Sequence, residues 1–293
     1  MIREVDTVVL GGGLIGHLVG TLFPGVLILD RRPAPAAGMD VTHQPGAHYL
    51  WAPLRGLTNE RITVLTRIDG EDATPASIAA YKRKVMEPMP SATRENGEPS
   101  YRLQQFTPRM SGWRASLPHV PVCWHQVVTQ IDPINHLLST GQDEHLRYKR
   151  LINTIPLPAL LRLFPVLELE LVNRPVWVAT SNHMPFDFVA PDTLYVNYIT
   201  APELPWYRET HQSNGIVQRE ALRPYVSGMF QVLPGKLVAH PEVPAAVADL
   251  RAWDIHTFGH YGTWDPDELT HHTWAKLLVF AGVATKAEAE DAL

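Results

Sequence analysis

Val5-Asp6-Thr7-Val8-Val9-Leu10-Gly11-Gly12-Gly13-Leu14-Ile15-Gly16, running on to Phe23-Pro24-Gly25 and Val26-Leu27-Ile28-Leu29-Asp30, is the stretch that decides the fold. Val5 to Leu10 is short, apolar and largely β-branched, the pattern of a strand buried on both faces of a parallel sheet. The glycines that follow have the spacing G-x-G-x-x-G. Gly11 permits the tight turn, Gly13 lets backbone approach a pyrophosphate, and Gly16 lets helix and strand pack closely. Leu14 and Ile15 open the helix, whose N-terminal amides face the phosphates. Leu14 to Phe23 is the expected helix, Pro24-Gly25 ends it, and Val26 to Leu29 is a second buried strand that closes on Asp30. Asp30 stands 19 positions after Gly11. A carboxylate there accepts hydrogen bonds from a ribose hydroxyl and repels a 2'-phosphate, so the expected ligand is FAD or NAD rather than NADP.

Composition is that of a folded globular chain. The chain has 293 residues, 45% hydrophobic and 19% charged, enough to bury a core in one large domain or two interleaved lobes. A formal net charge of -5 supplies no overall positive field, so a nucleic-acid or anionic-membrane partner finds no support there. Lys82 to Lys84 and Arg147 to Arg150 read as solvated faces. The single cysteine, Cys123, excludes an internal disulfide and reads as packing between Val122 and Trp124. Thr7 to Leu29 is apolar, but its repeated glycines and the Pro24-Gly25 break fit a nucleotide turn better than a signal peptide or membrane span. A cytoplasmic location is expected.

The regular βαβ pattern stops early. Residues 31–75 are rich in Pro, Gly and His with one strand candidate, Arg61 to Arg67. A helical insertion over Ala76 to Met86 precedes a Pro- and Gly-containing stretch to about Pro121. Val127 to Ile131, including Val128, then Leu137 to Ser139 and His145 to Tyr148 form a small antiparallel meander. Leu151 to Ile155 returns as a buried strand, and Pro156 opens a helix over Ala159 to Phe164. Strands at Val176 to Thr180, Phe188 to Val189 and Thr193 to Ile199 suggest a second sheet. A helix at Ala245 to Ala252, a strand at Ile255 to Phe258 and a helix at Glu268 to Ala281 complete the chain. This order fits FAD better than NAD. The fold class is α/β: a Rossmann-like FAD-binding fold of parallel sheet and antiparallel meander, with an interleaved smaller substrate lobe built on an antiparallel sheet. The expected division gives 1–70, 119–165 and 240–293 to the FAD lobe, and 71–118 and 166–239 to the substrate lobe.

Four segments resemble FAD proteins of the UDP-galactopyranose mutase and amine-oxidase-like group. The first is the glycine turn with Asp30-Arg31-Arg32, where Ala37-Gly38-Met39 replaces the group's Gly-Gly turn. The second, Gly46-Ala47-His48-Tyr49, is similar to the mutase segment beside the isoalloxazine ring. In the third, Asn197-Tyr198 with Pro205-Trp206-Tyr207-Arg208, the resemblance implies an arginine that holds a nucleotide-sugar diphosphate. The fourth, Phe258-Gly259-His260-Tyr261-Gly262-Thr263-Trp264, resembles the carboxy-terminal flavin segment. There His260 replaces the usual arginine, and Leu269-Thr270 replaces Met-Asp at the next helix start.

The resemblance implies FAD contacts at Gly11, Gly13, Leu14, Ile15, Gly16, Asp30, Arg31, Val128, Gly259 and Thr270. His48, Arg208 and Tyr261 are candidate catalytic residues, and Asn197, Trp206, Tyr207 and Trp264 candidate walls for a small-molecule or nucleotide-linked substrate. The leading expectation is FAD-dependent oxidation of a carbon–nitrogen bond in an amine or aminoacyl substrate, including a nucleotide- or modified-base-linked one. One alternative is a mutase-like nucleotide-sugar isomerase; another is a flavin-binding module without catalysis. His271-His272 and the pair His43 and His48 lack partners at ligand spacing, so no metal is expected, and no Gly-x-Ser-x-Gly elbow is present.

Overall fold

The computed structural model describes residues 2–33, 49–86, 106–164, 169–182, 190 and 192–290. The first sheet begins with β1 (Ile2–Leu10), crosses through α1 (Leu14–Leu22) and returns as β2 (Leu27–Leu29), parallel to β1 with Val8 opposite Leu27. The chain then enters a second sheet through β3 (Thr58–Ile68), the helix α2 (Pro75–Met86) and β4 (Arg109–Ser116). It comes back as the meander β5 (Val128–Asp132), β6 (Leu137–Thr140) and β7 (His145–Asn153), followed by the short α3 (Leu157–Leu161). The second sheet resumes with β8 (Asn173–Asn182), β9 (Thr193–Tyr198), β10 (Trp206–Gln212), β11 (Ile216–Ala221) and β12 (Phe230–Leu237). Helix α4 (Val243–Ala252), strand β13 (Ile255–Thr257), helix α5 (Thr270–Phe280) and α6 (Lys286–Glu290) close the first lobe.

The first sheet has the order β2-β1-β7-β6-β5, with β13 pairing the far end of β7. Strands β1, β2, β7 and β13 are parallel, and Val8, Val9, Leu151 and Ile152 are sealed within it. One face packs on α3 and α4 through Leu157, Leu160 and Leu250. The other packs on α1 and α5 through Leu18, Val19, Trp274 and Leu277. Both faces are covered because a parallel sheet needs crossovers on its faces. The third strand of the meander and the returning buried strand, expected as two segments, are one strand. The first residues of β7 pair antiparallel with β6, while the whole strand runs parallel to β1.

The second sheet has the order β12-β8-β11-β10-β9-β3-β4. The expected boundary at residue 70 is corrected here, since β3 hydrogen-bonds to β4 and β9 of this sheet. The reason is in its pattern: Ile62, Val64 and Ile68 are buried in alternation with more exposed residues, the signature of a strand with one core face. Strand β4 lies in the stretch read as irregular, while β10 and β11 fall in a region with no expected strand. The Phe188 to Val189 strand lies outside the described residues. Cys123, expected as packing, is exposed; its backbone extends the first sheet, bonding Ile28 and Asp30 beside β2. No helix among the described residues is long and apolar enough to cross a membrane.

Candidate functional site

The carboxyl ends of β1, β7 and β13 converge, the position where open α/β sheets bind ligands. Thr154, one residue past β7, donates its hydroxyl to Leu10 O at 2.8 Å and to Gly11 O at 3.1 Å. Gly11 has φ of 103°, which favours glycine. A Cβ on Gly16 would lie 1.9 Å from Gly11 O, so helix and strand touch there through bare backbone. A Cβ on Gly13 would meet nothing within 4 Å. The space above Gly13 is open, and no side chain caps the N-terminus of α1. The first-turn amides of α1, including those of Leu14 and Ile15, therefore face an open hollow with no intrahelical acceptor.

Asp30 lies at the side of this hollow, buried. Its Oδ2 accepts from Gly12 N at 2.7 Å, and its Oδ1 accepts from Arg32 N at 2.8 Å and Arg32 Nε at 2.9 Å. Burial raises its pKa, but the Arg32 and Gly12 hydrogen bonds outweigh that and hold the carboxyl below its usual range. Arg32 also lies 5.8 Å from the ring centroid of Trp124, whose ring would crowd any Cβ on Gly12. Arg31 is exposed, so the residue on Asp30 is Arg32. Val128 starts β5 two residues after Gln126, whose N–H donates to Asp30 O. Gly259, with φ of 87°, returns the carboxy-terminal segment to the first turn of α1, where its Cβ would stand 3.0 Å from Ile15 Cγ1. Thr270 is the first residue of α5, the helix packed beside α1.

The second sheet supplies a buried polar cluster. The β10–β11 register shifts between Trp206 and Arg208, so Tyr207 is the extra residue of a bulge and points to the same face as Arg208. Arg208 stands directly opposite Glu220, and its guanidinium binds Glu220 Oε1, while the Tyr207 hydroxyl donates to Glu220 Oε2 at 2.7 Å. Tyr198 also hydrogen-bonds Arg208. Lys236 Nζ lies 4.9 Å from the Tyr207 ring centroid, and burial brings its pKa down to about 8. Tyr261, from the carboxy-terminal segment, donates its hydroxyl to Gly235 O at 3.2 Å, and burial pushes its pKa up to about 12. The cluster thus meets the first lobe at the seam.

This two-sheet plan has a counterpart of known structure. The chain shares its fold with a UDP-galactopyranose mutase. The match to the reduced mutase has a TM-score of 0.63 at 12% identity and covers 98% of each chain. A fatty acid isomerase from P. acnes that produces CLA gives a TM-score of 0.45 at 12% identity, over 85% of this chain and 82% of that one. A redesigned putrescine oxidase gives 0.42 at 10% identity, over 75% and 76%. No protein-family model and no curated protein matches the chain.

Within the mutase-like fold, Gly11, Gly13, Leu14, Ile15, Gly16, Asp30 and Gly259 come together around one hollow. The expected substrate residues do not form one wall. Tyr207 and Arg208 face the cluster just described, whereas Asn197 pairs with Glu209 on the opposite face of the sheet. There Asn197 accepts a hydrogen bond from Gly70 N at 3.0 Å. Trp206 stacks under Arg219 at 4.8 Å, also on that face. Trp264 is 1% exposed, with its indole N–H on Val238 O, so it belongs to the core of the first lobe rather than to a substrate wall. Lys84, expected on a solvated face, donates to Ala201 O and Trp206 O. His48, with Gly46 and Gly38, lies outside the described residues. Sequence reading missed Thr154, Glu220 and Lys236 as site residues. Thr154 carried one signal, standing just past the buried strand that returns beside the glycine turn.

Proposed function

We propose that the chain is an FAD-dependent oxidoreductase. The observation that carries this reading is the uncapped amino terminus of α1, with open space above Gly13 and the Asp30 carboxylate at its side. The residues fit the cofactor: the amides at Gly13, Leu14 and Ile15 suit the pyrophosphate, and Asp30 suits the ribose once Arg32 yields a carboxylate oxygen. Gly259 borders the same hollow from the carboxy-terminal side. When bound, FAD supplies the ring that accepts a hydride from substrate.

The substrate favoured is an amine or aminoacyl compound whose carbon–nitrogen bond is oxidised and then hydrolysed. What supports this over a nucleotide-sugar isomerase is Arg208. A diphosphate clamp needs a guanidinium whose charge is unmatched, and the charge of Arg208 is already paired with the buried Glu220 carboxylate. Lys236 lies over the Tyr207 ring at the lobe seam, and burial brings its pKa down to about 8, a range in which a side chain can serve as a general base.

The test is an absorbance spectrum of the purified, FAD-reconstituted chain, followed by an amine panel with peroxide detection. Flavin bands and peroxide formed only with an amine are the expected result. Bound FAD that no amine reduces, with tight UDP binding after chemical reduction, would replace the oxidase reading by the isomerase one.

A further inference from the structure

The outer face of the second sheet, away from the Arg208 cluster, carries a cleft of about 390 Å³ lined by Arg61, Thr63, Arg109, Met110, Ser111 and Asp192. Thr63 stands opposite Ser111, and Leu65 opposite Arg109. Alternation along the two strands therefore puts the Arg61, Thr63, Arg109 and Ser111 side chains on one face. Arg61 reaches Ser111 Oγ through Nε at 3.0 Å and Nη2 at 2.6 Å.

The charges of the two strands are unequally matched. Arg67 pairs with Asp72 and Arg114 with Glu60. Among the described residues, no carboxylate lies within 4.0 Å of Arg61 or Arg109, and Asp192 is the one acid lining the cleft. Two guanidinium groups against one carboxylate leave the cleft net positive. The Arg109 fork, the Arg61 donors not used on Ser111 and two hydroxyls also supply more donors than a planar carboxylate has oxygens to accept, whereas a tetrahedral anion offers three or four.

We propose that this cleft binds a phosphoryl group, with Arg61 and Arg109 as charged donors and Ser111 and Thr63 as hydroxyl donors. The site is separate from the α1 hollow, and its standing does not depend on FAD. Phosphate at the amides of α1 and phosphate here are told apart by reading the arginines themselves.

The experiment follows the Arg61 and Arg109 Nε–H resonances of the full chain by NMR during titration with inorganic phosphate, uridine monophosphate and uridine. Saturable shifts with phosphate and the monophosphate, and none with uridine, are expected. Tighter binding of the monophosphate than of phosphate identifies a nucleotide as the source; equal binding identifies the free anion. Arg61→Gln with Arg109→Gln is expected to weaken binding by about tenfold or more, and Ser111→Ala, which leaves the charges in place, by a smaller factor. Shifts that chloride reproduces at equal ionic strength, an absence of saturation, or unchanged affinity in the double variant would overturn the proposal.

Discussion

Arg208 and Glu220 face each other across the β10–β11 ladder, and the bulge at Tyr207 brings a third side chain onto the same carboxylate. Glu220 is 7% exposed and Arg208 20%, so the pair has left water. Removing one partner strands the other. Glu220→Ala is expected to cost about 3–5 kcal/mol in urea unfolding, and Glu220→Gln less because it keeps an acceptor.

The same pair sets a pH dependence. Burial pushes the Glu220 carboxyl up, but Arg208 and the Tyr207 hydroxyl bring it below its ordinary value of 4.5. A depressed carboxyl contributes stability that is present above the unfolded value and is lost as pH falls through the folded one. The wild-type urea midpoint should therefore drop on acidification below 4.5 more steeply than that of Glu220→Gln.

Lys236 runs the other way. With a pKa near 8 in the fold against 10.5 ordinarily, its ammonium destabilises the native state below 8, and the penalty fades as pH rises toward 10.5. Lys236→Met is expected to stabilise the protein at pH 7 by about 1–2 kcal/mol, less than the full shift because the side chain is only half-buried. The gain should vanish in melts above 10.5. In the oxidase reading, neutral Lys236 is the form that takes a proton from the amine, so the same variant slows amine oxidation most above about pH 8.

The glycines of the first lobe separate fold from ligand. Gly16→Ala forces a methyl against Gly11 O at 1.9 Å and is expected to destabilise by about 1–3 kcal/mol or to prevent folding. Gly13→Ala has open space and an ordinary φ of -83°, so thermal melts should leave stability within about 0.5 kcal/mol. Its methyl stands where the pyrophosphate is proposed, so FAD affinity should fall by about tenfold or more.

The first lobe was legible because its information is local. A strand, a glycine turn, a helix and an acid follow one another within thirty residues, and each glycine answers a requirement visible in the sequence itself. The second lobe was not, because its decisive contacts depend on register. Trp206 to Gln212 does not alternate cleanly, since the bulge at Tyr207 resets the period, and nothing in the local pattern pairs Arg208 with Glu220. Strand β3 looked like a continuation of the first lobe by chain position, yet its partners β4 and β9 come from far downstream. Trp264, an aromatic residue in the segment resembling the flavin's carboxy-terminal one, reads as a wall, whereas its burial and its bond to Val238 O place it in the core.

The central claim is that a dinucleotide's phosphates rest on the uncapped first turn of α1. Its most direct test is a titration of FAD into the flavin-free chain, followed by quenching of flavin fluorescence, with wild type and Gly13→Val side by side. The account predicts saturable binding to wild type and its loss in a variant that still melts cooperatively; equal binding by both, or none by wild type, would contradict it.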